Sequence, residues 1–191
     1  MKRLELEHVI RAATSITNEY EMMIIGSQSI LGSYPNAPEE LLQSNEVDIY
    51  PLRNPELADL IEGSIGEMSP FMDRFGYYAQ GVGPETAILP NGWQDRLIKI
   101  QNENTNQKIG YCLDPNDLAV SKLAAGRDKD WPFVECMLKH HLIDYDVTMQ
   151  RLVETQMDGA KKALAILRLS KFKSVENRDG PASTVFSKPS G

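Results

Sequence analysis

The chain has 191 residues, of which 41% are hydrophobic and 25% charged: enough for one core with a small appendage, and too apolar for wholesale disorder. A net charge of −7 excludes a protein that coats nucleic acid non-specifically. No apolar run approaches the roughly 18 residues needed to cross a bilayer, so no membrane partner is expected.

The first element is an amphipathic helix over residues 4–20, in which Leu4, Leu6, Val9, Ile10, Ala13 and Ile16 recur at helical spacing. The charged start, Lys2-Arg3, lacks a signal-peptide core, and a cytoplasmic location is expected. Residues 22–25 are a continuous apolar run ending at Gly26, the pattern of a buried strand, and Ser27 opens a short helix. Pro35 and Pro38 enforce a loop. Residues 46–50 alternate charged and apolar side chains as a strand does, closed by Pro51. A helix is expected over 55–65, then strands over 75–82, 86–89 and 96–101, and a polar turn over 102–110. Asp114 is a plausible N-cap with Pro115 in the first turn of a helix carrying Leu118, Val120 and Leu123. Beyond Gly126 the pattern is helical, with breaks near Asp144 and Asp158.

These elements divide into an α/β unit over 1–113, an all-helical unit over 114–176 and a flexible Gly/Pro/Ser-rich tail over 177–191. The fold class is therefore α+β. From Lys161 onward seven basic residues (Lys161, Lys162, Arg168, Lys171, Lys173, Arg178, Lys188) stand against Glu176 and Asp179. Such a basic end on an acidic body either holds a polyanion locally or is a solvated helix face. Cys112 and Cys136 have neither CxxC spacing nor a histidine pair at zinc-ligand distance, and are read as plain reduced thiols. His140-His141 has too few neighbouring ligands in the sequence for a metal. Trp93, Trp131 and Tyr77-Tyr78 could stack bases, but their spacing suits a core better.

Two signals carry chemistry. A strand that ends in Gly26-Ser27 and turns into a helix offers close backbone approach, a hydroxyl donor and free N–H groups to a phosphate. Glu46 and Asp48, two apart on a strand, aim at one volume while Val47 and Ile49 face the core. Like charges so placed repel unless a divalent cation joins them, as in metal-assisted phosphoryl transfer; a solvated edge strand is the bland alternative.

Strand, Gly-Ser, helix, loop and acid–apolar–acid on the next strand resembles the polymerase-beta nucleotidyltransferase superfamily. Ser44-Asn45-Glu46-Val47-Asp48 is similar to the segment of its minimal bacterial branch, which includes AbiEii-like toxins of toxin–antitoxin systems. Pro115-Asn116-Asp117-Leu118, Lys122-Leu123, Arg127 and Lys129-Asp130 resemble the helix-loop-helix block that follows the strands there. The resemblance implies a small mixed sheet flanked by helices and a Mg²⁺-dependent nucleotidyltransferase with an NTP as substrate. Gly26 and Ser27 would take the triphosphate, and Glu46 and Asp48 the metal. Lys122 would reach the phosphates, and Arg127 would assist with pyrophosphate or hold Asp130. Asp130 would activate the acceptor or complete the metal site. The implied acceptor is a tRNA or other RNA 3′ end, and the implied partner a cognate antitoxin. A protein-modifying toxin and a non-catalytic interaction module are the alternatives. Glu46 departs from the usual aspartate, and residues 96–101 hold no third strand carboxylate.

Overall fold

The computed structural model describes residues 1–176. Helix α1 (Arg3–Thr17) buries Leu6, Val9, Ile10 and Ala13 and ends at Asn18, whose φ of 55° is left-handed. Strand β1 (Glu21–Ile25) is apolar throughout its buried length because both its faces are covered. A 3-10 turn (Ser27–Ser29) passes into the one-turn helix α2 (Ile30–Ser33). Strand β2 (Glu46–Pro51) buries Val47 and Ile49 and leaves Glu46 and Asp48 partly accessible, the alternation that a strand imposes. Helix α3 (Ala58–Ile65) follows the 3-10 turn Pro55–Leu57.

The next stretch departs from the expected strands. Phe75 does not begin a strand but ends helix α4 (Pro70–Phe75), which Ser69 caps by accepting the Met72 N–H and Gly76 terminates at φ 79°. Only Tyr78–Gly81 forms strand β3. Residues 86–89 form no strand: they follow the 3-10 turn Pro84–Thr86 and, extended at Ala87, find no partner strand among the described residues. A 3-10 turn (Trp93–Arg96) trims the expected strand at 96–101 to β4 (Ile98–Ile100). Strand β5 (Ile109–Cys112) occupies the end of the expected polar turn. Lys108 precedes it and Gly110 interrupts its apolar run, and its pairing to β1 and β4 makes it a strand.

The five strands form one mixed sheet in the order β3-β2-β1-β5-β4. β1 runs antiparallel to β2 and parallel to β5; β2 and β3 are parallel, β4 and β5 antiparallel. Helices α1 and α3 cover one face. A Cβ on Gly110 would lie 2.4 Å from Ile10 Cδ1, so any larger residue there would force the Ile10 side chain of α1 to move. On the other side, α2 and the turn at 27–29 receive helix α5 (Pro115–Ala125).

Asp114 caps α5 by accepting from the N–H groups of Asn116 and Asp117, and Gly126 ends it at φ 65°. Helices α6 (Asp130–Lys139), α7 (Tyr145–Glu154) and α8 (Gly159–Glu176) complete the fold, with breaks at Asp144 and Asp158 as expected. α5 is anchored through Asp117, fully buried, which accepts from Arg96 at 2.8 and 3.0 Å and from Arg151 of α7 at 2.8 Å. The expected tail from residue 177 lies outside the described residues. No helix among the described residues is long and apolar enough to cross a membrane.

Candidate active site

A cleft of about 670 Å³ opens where the C-terminal end of β1 meets α5. Gly26, Ser27, Glu46, Asp48, Lys122 and Arg127 all line it. Asp130, expected at the same site, does not: it is 2% exposed and lies behind the wall.

The two carboxylates share the cleft because β2 alternates. Asp48 sits against the Gly26 turn so closely that a Cβ on Gly26 would lie 1.9 Å from its Oδ2. Gly26 also holds φ at 73°, so the position excludes side chains for two reasons. Gln28 fixes the turn to the approach of β2 by donating to the Ser44 carbonyl at 2.8 Å. Burial, and then the neighbouring Glu46 charge, push the Asp48 carboxyl up to about 6. Two acids held together in partly dry surroundings favour one proton or one cation between them.

Above them, Lys122 Nζ donates to Ser27 Oγ at 2.9 Å and lies 3.4 Å from Asp130 Oδ1. It also faces the Phe133 ring at 5.3 Å. Lys122 is 5% exposed, and burial lowers its affinity for the proton while Asp130 and Asp48 oppose that. Arg127 grips Asp130 through Nε at 2.9 Å and a second nitrogen at 3.2 Å. Burial alone would raise the Asp130 carboxyl, but Arg127 and Lys122 hold it below the usual range. Both Asp130 oxygens are thus engaged by cations, which suits it to fixing Lys122 and Arg127 and not to meeting a ligand.

Several residues in and beside the cleft carry no role there that the sequence assigns. Lys129 and Lys161 add two cations to the cleft, the second from α8. In the sequence Lys161 is simply one member of a basic end, since nothing in a single helix says which of its lysines turns toward a distant turn. Gln80 of β3 lies opposite Asp48 in the parallel register, and its amide reaches both carboxylates. Tyr78 donates to Glu46 Oε2 at 2.9 Å. Val82, Ala87 and Ile88 form an apolar wall.

The other aromatic candidates are packing. Tyr77 is buried in a cluster with His8, Phe71 and Phe75, Trp93 packs on the core, and Trp131 lies under Arg168 at 4.6 Å. Cys112 is buried and pushed up to about 12, an inert thiol. His140 has more company than its sequence neighbours suggested. Its ring, the Cys136 thiol and the Glu40 carboxylate bring one ligand atom each within 4.8 Å of one another, away from the cleft. Helical spacing puts Cys136 and His140 on one face; only the fold adds Glu40.

Over residues 2–178 the chain matches the model of the family DUF6036, described as nucleotidyltransferase of unknown function. No curated protein and no solved structure matches it.

Proposed function

The chain belongs to this family of nucleotidyltransferases, and we propose that it moves a nucleoside monophosphate from an NTP to an acceptor hydroxyl in the cleft. One observation carries the reading. The Lys122–Ser27 contact joins two motif blocks 95 residues apart over a single cavity floored by Glu46 and Asp48.

The donor set fits a hard divalent cation, because the two carboxylates converge and their neighbours offer oxygen and amide groups. Glu46 and Asp48 would hold Mg²⁺, which neutralises phosphate charge and polarises the reacting phosphoryl group when bound with the NTP. The remaining work falls to the chain itself. Gly26 leaves room for the Asp48 carboxylate at the turn, and Ser27 beside it supplies a hydroxyl donor to phosphate. Two acids make a poor host for a triphosphate, and Lys122, Arg127, Lys129 and Lys161 offset them from the opposite wall. The Val82–Ala87–Ile88 wall gives the nucleoside an apolar surface. The acceptor hydroxyl gives up its proton to solvent water and its oxygen bonds to the α-phosphorus as the α–β phosphoanhydride bond breaks and pyrophosphate leaves toward Lys122 and Arg127. Asp130 keeps those two cations aimed.

For the acceptor we propose an RNA, with the tRNA 3′ end as first choice, and for the partner a cognate antitoxin, in line with the resemblance to AbiEii-like toxins. The basic helix α8, which brings Lys161 to the cleft, supports a polyanionic acceptor. The test is incubation of the protein with Mg²⁺, each α-labelled NTP and bulk tRNA. Label is expected on tRNA and absent with Asp48→Asn. Label on protein instead would move the acceptor to a side chain. Bound Mg²⁺–NTP without transfer to either would make the protein an interaction module.

A further inference from the structure

The neighbouring strand completes the acidic site with a neutral group. Parallel pairing sets Tyr78 beside Glu46 and Gln80 beside Asp48, so all four side chains rise from the same face of the sheet. Tyr78 occupies Glu46 Oε2, and Gly26 abuts Asp48 Oδ2. Each carboxylate therefore turns its other oxygen toward Gln80. The end of the Gln80 amide lies 2.9 Å from Glu46 Oε1 and 3.2 Å from Asp48 Oδ1.

Those separations suit two different occupants. With the amide nitrogen at that point, Gln80 donates to both carboxylates and relieves their repulsion. A half-turn of the amide puts its oxygen there instead, since the two atoms are nearly equal in size. The amide oxygen then stands 2.9 and 3.2 Å from one oxygen of each carboxylate, close to the spacing of adjacent ligands on an octahedral cation with bonds of about 2.1 Å. No other side chain of this length does both jobs. Glutamate adds a third negative charge, and leucine does neither.

We propose that Gln80 is the third, neutral ligand of the cation site, its amide turning from donor to acceptor as the divalent cation enters. The proposal rests on the nucleotidyltransferase reading of the cleft. The ligand set then carries two negative charges where a third carboxylate would give three. The cation alone is held weakly, and the phosphates of the incoming NTP complete its shell. The protein thus takes metal and nucleotide together.

The experiment is a titration with Mn²⁺ followed by electron paramagnetic resonance, on wild type, Gln80→Leu, Gln80→Glu and Asp48→Asn, without nucleotide and then with a non-hydrolysable NTP analogue. Gln80→Leu should weaken Mn²⁺ binding about 10-fold or more, and Gln80→Glu should tighten nucleotide-free binding by a similar factor, the range typical of altered ligand shells. The analogue should tighten Mn²⁺ binding to wild type more than to Gln80→Glu. Gln80→Glu is nearly isosteric, so it remains informative if Gln80→Leu folds poorly. Wild-type affinity in Gln80→Leu, or no gain in Gln80→Glu, overturns the role of Gln80 while leaving the cleft intact. Equal Mn²⁺ binding by wild type and Asp48→Asn overturns the cation site itself.

Discussion

Replacing Asp48 by asparagine should make the metal-free protein more stable, and by an amount that depends on pH. Burial and the Glu46 charge raise the Asp48 carboxyl to about 6 in the folded chain, against about 3.9 in the unfolded one. Below the lower value both states are protonated and the residue costs nothing. Between the two values the native state keeps its proton while the unfolded state releases it, so native stability falls as pH rises. Above about 6 the folded protein carries the full cost, about 3 kcal/mol at roughly 1.4 kcal/mol per tenfold change in proton affinity. At about pH 5 the same relation gives about 1.5 kcal/mol. Asparagine keeps the shape, stays neutral and can still meet Gln80. Urea denaturation of both proteins in EDTA, at about pH 5 and pH 8, measures the difference. The variant should gain about 3 kcal/mol at the higher pH and about half of that at the lower one. The two-pH difference is robust to any fixed packing change. A gain independent of pH, or a loss that grows with pH, would refute the view that burial and the Glu46 charge together destabilise an ionised Asp48. Saturating Mg²⁺ should stabilise wild type and leave the variant unmoved.

The remaining predictions probe the frame around that pair. Lys122→Ala should lower kcat/KM for the NTP by about 100-fold or more, and Lys122→Arg should restore it only in part, because a planar fork cannot replace a compact ammonium on Ser27. Steady-state kinetics with varied NTP decides, and full activity in the alanine variant would remove Lys122 from phosphate binding. Gly26→Ala should abolish nucleotide binding and destabilise the fold by about 1–3 kcal/mol, since the new methyl would collide with Asp48 and the backbone is left-handed; calorimetric titration and thermal melting read both effects. Asp117→Ala leaves Arg96 and Arg151 facing each other at a buried point and should cost about 3–5 kcal/mol in denaturant unfolding. An unchanged midpoint there would mean that the ion-pair network does not hold α5 in place.

Some of this protein was fixed by local chemistry. Alternation over Glu46–Pro51 had to send Glu46 and Asp48 one way and Val47 and Ile49 the other, and the run before Gly26 had to be a covered strand. Asp114-Pro115 had to start a helix, because cap and first-turn proline act within four residues. The mixed α+β class followed from those elements in that order. Where the reading failed, the deciding contact came from elsewhere. β5 is a strand by virtue of its pairing to β1 and β4, and residues 86–89 are none because no partner strand among the described residues reaches them. Phe75 belongs to a helix whose cap, Ser69, lies outside the window in which it looked like a strand. The site divides in the same way. The motifs named Ser27, Glu46, Asp48 and Lys122, but their spacing could not say that Lys122 meets Ser27, nor that Asp130 turns inward to hold cations. Gln80 carried no sequence signal at all: a lone glutamine acquires meaning only when strand register sets it beside two carboxylates. Periodicity and capping are short-range and survive in the sequence, whereas register, crossover and helix docking are settled by burial over the whole chain.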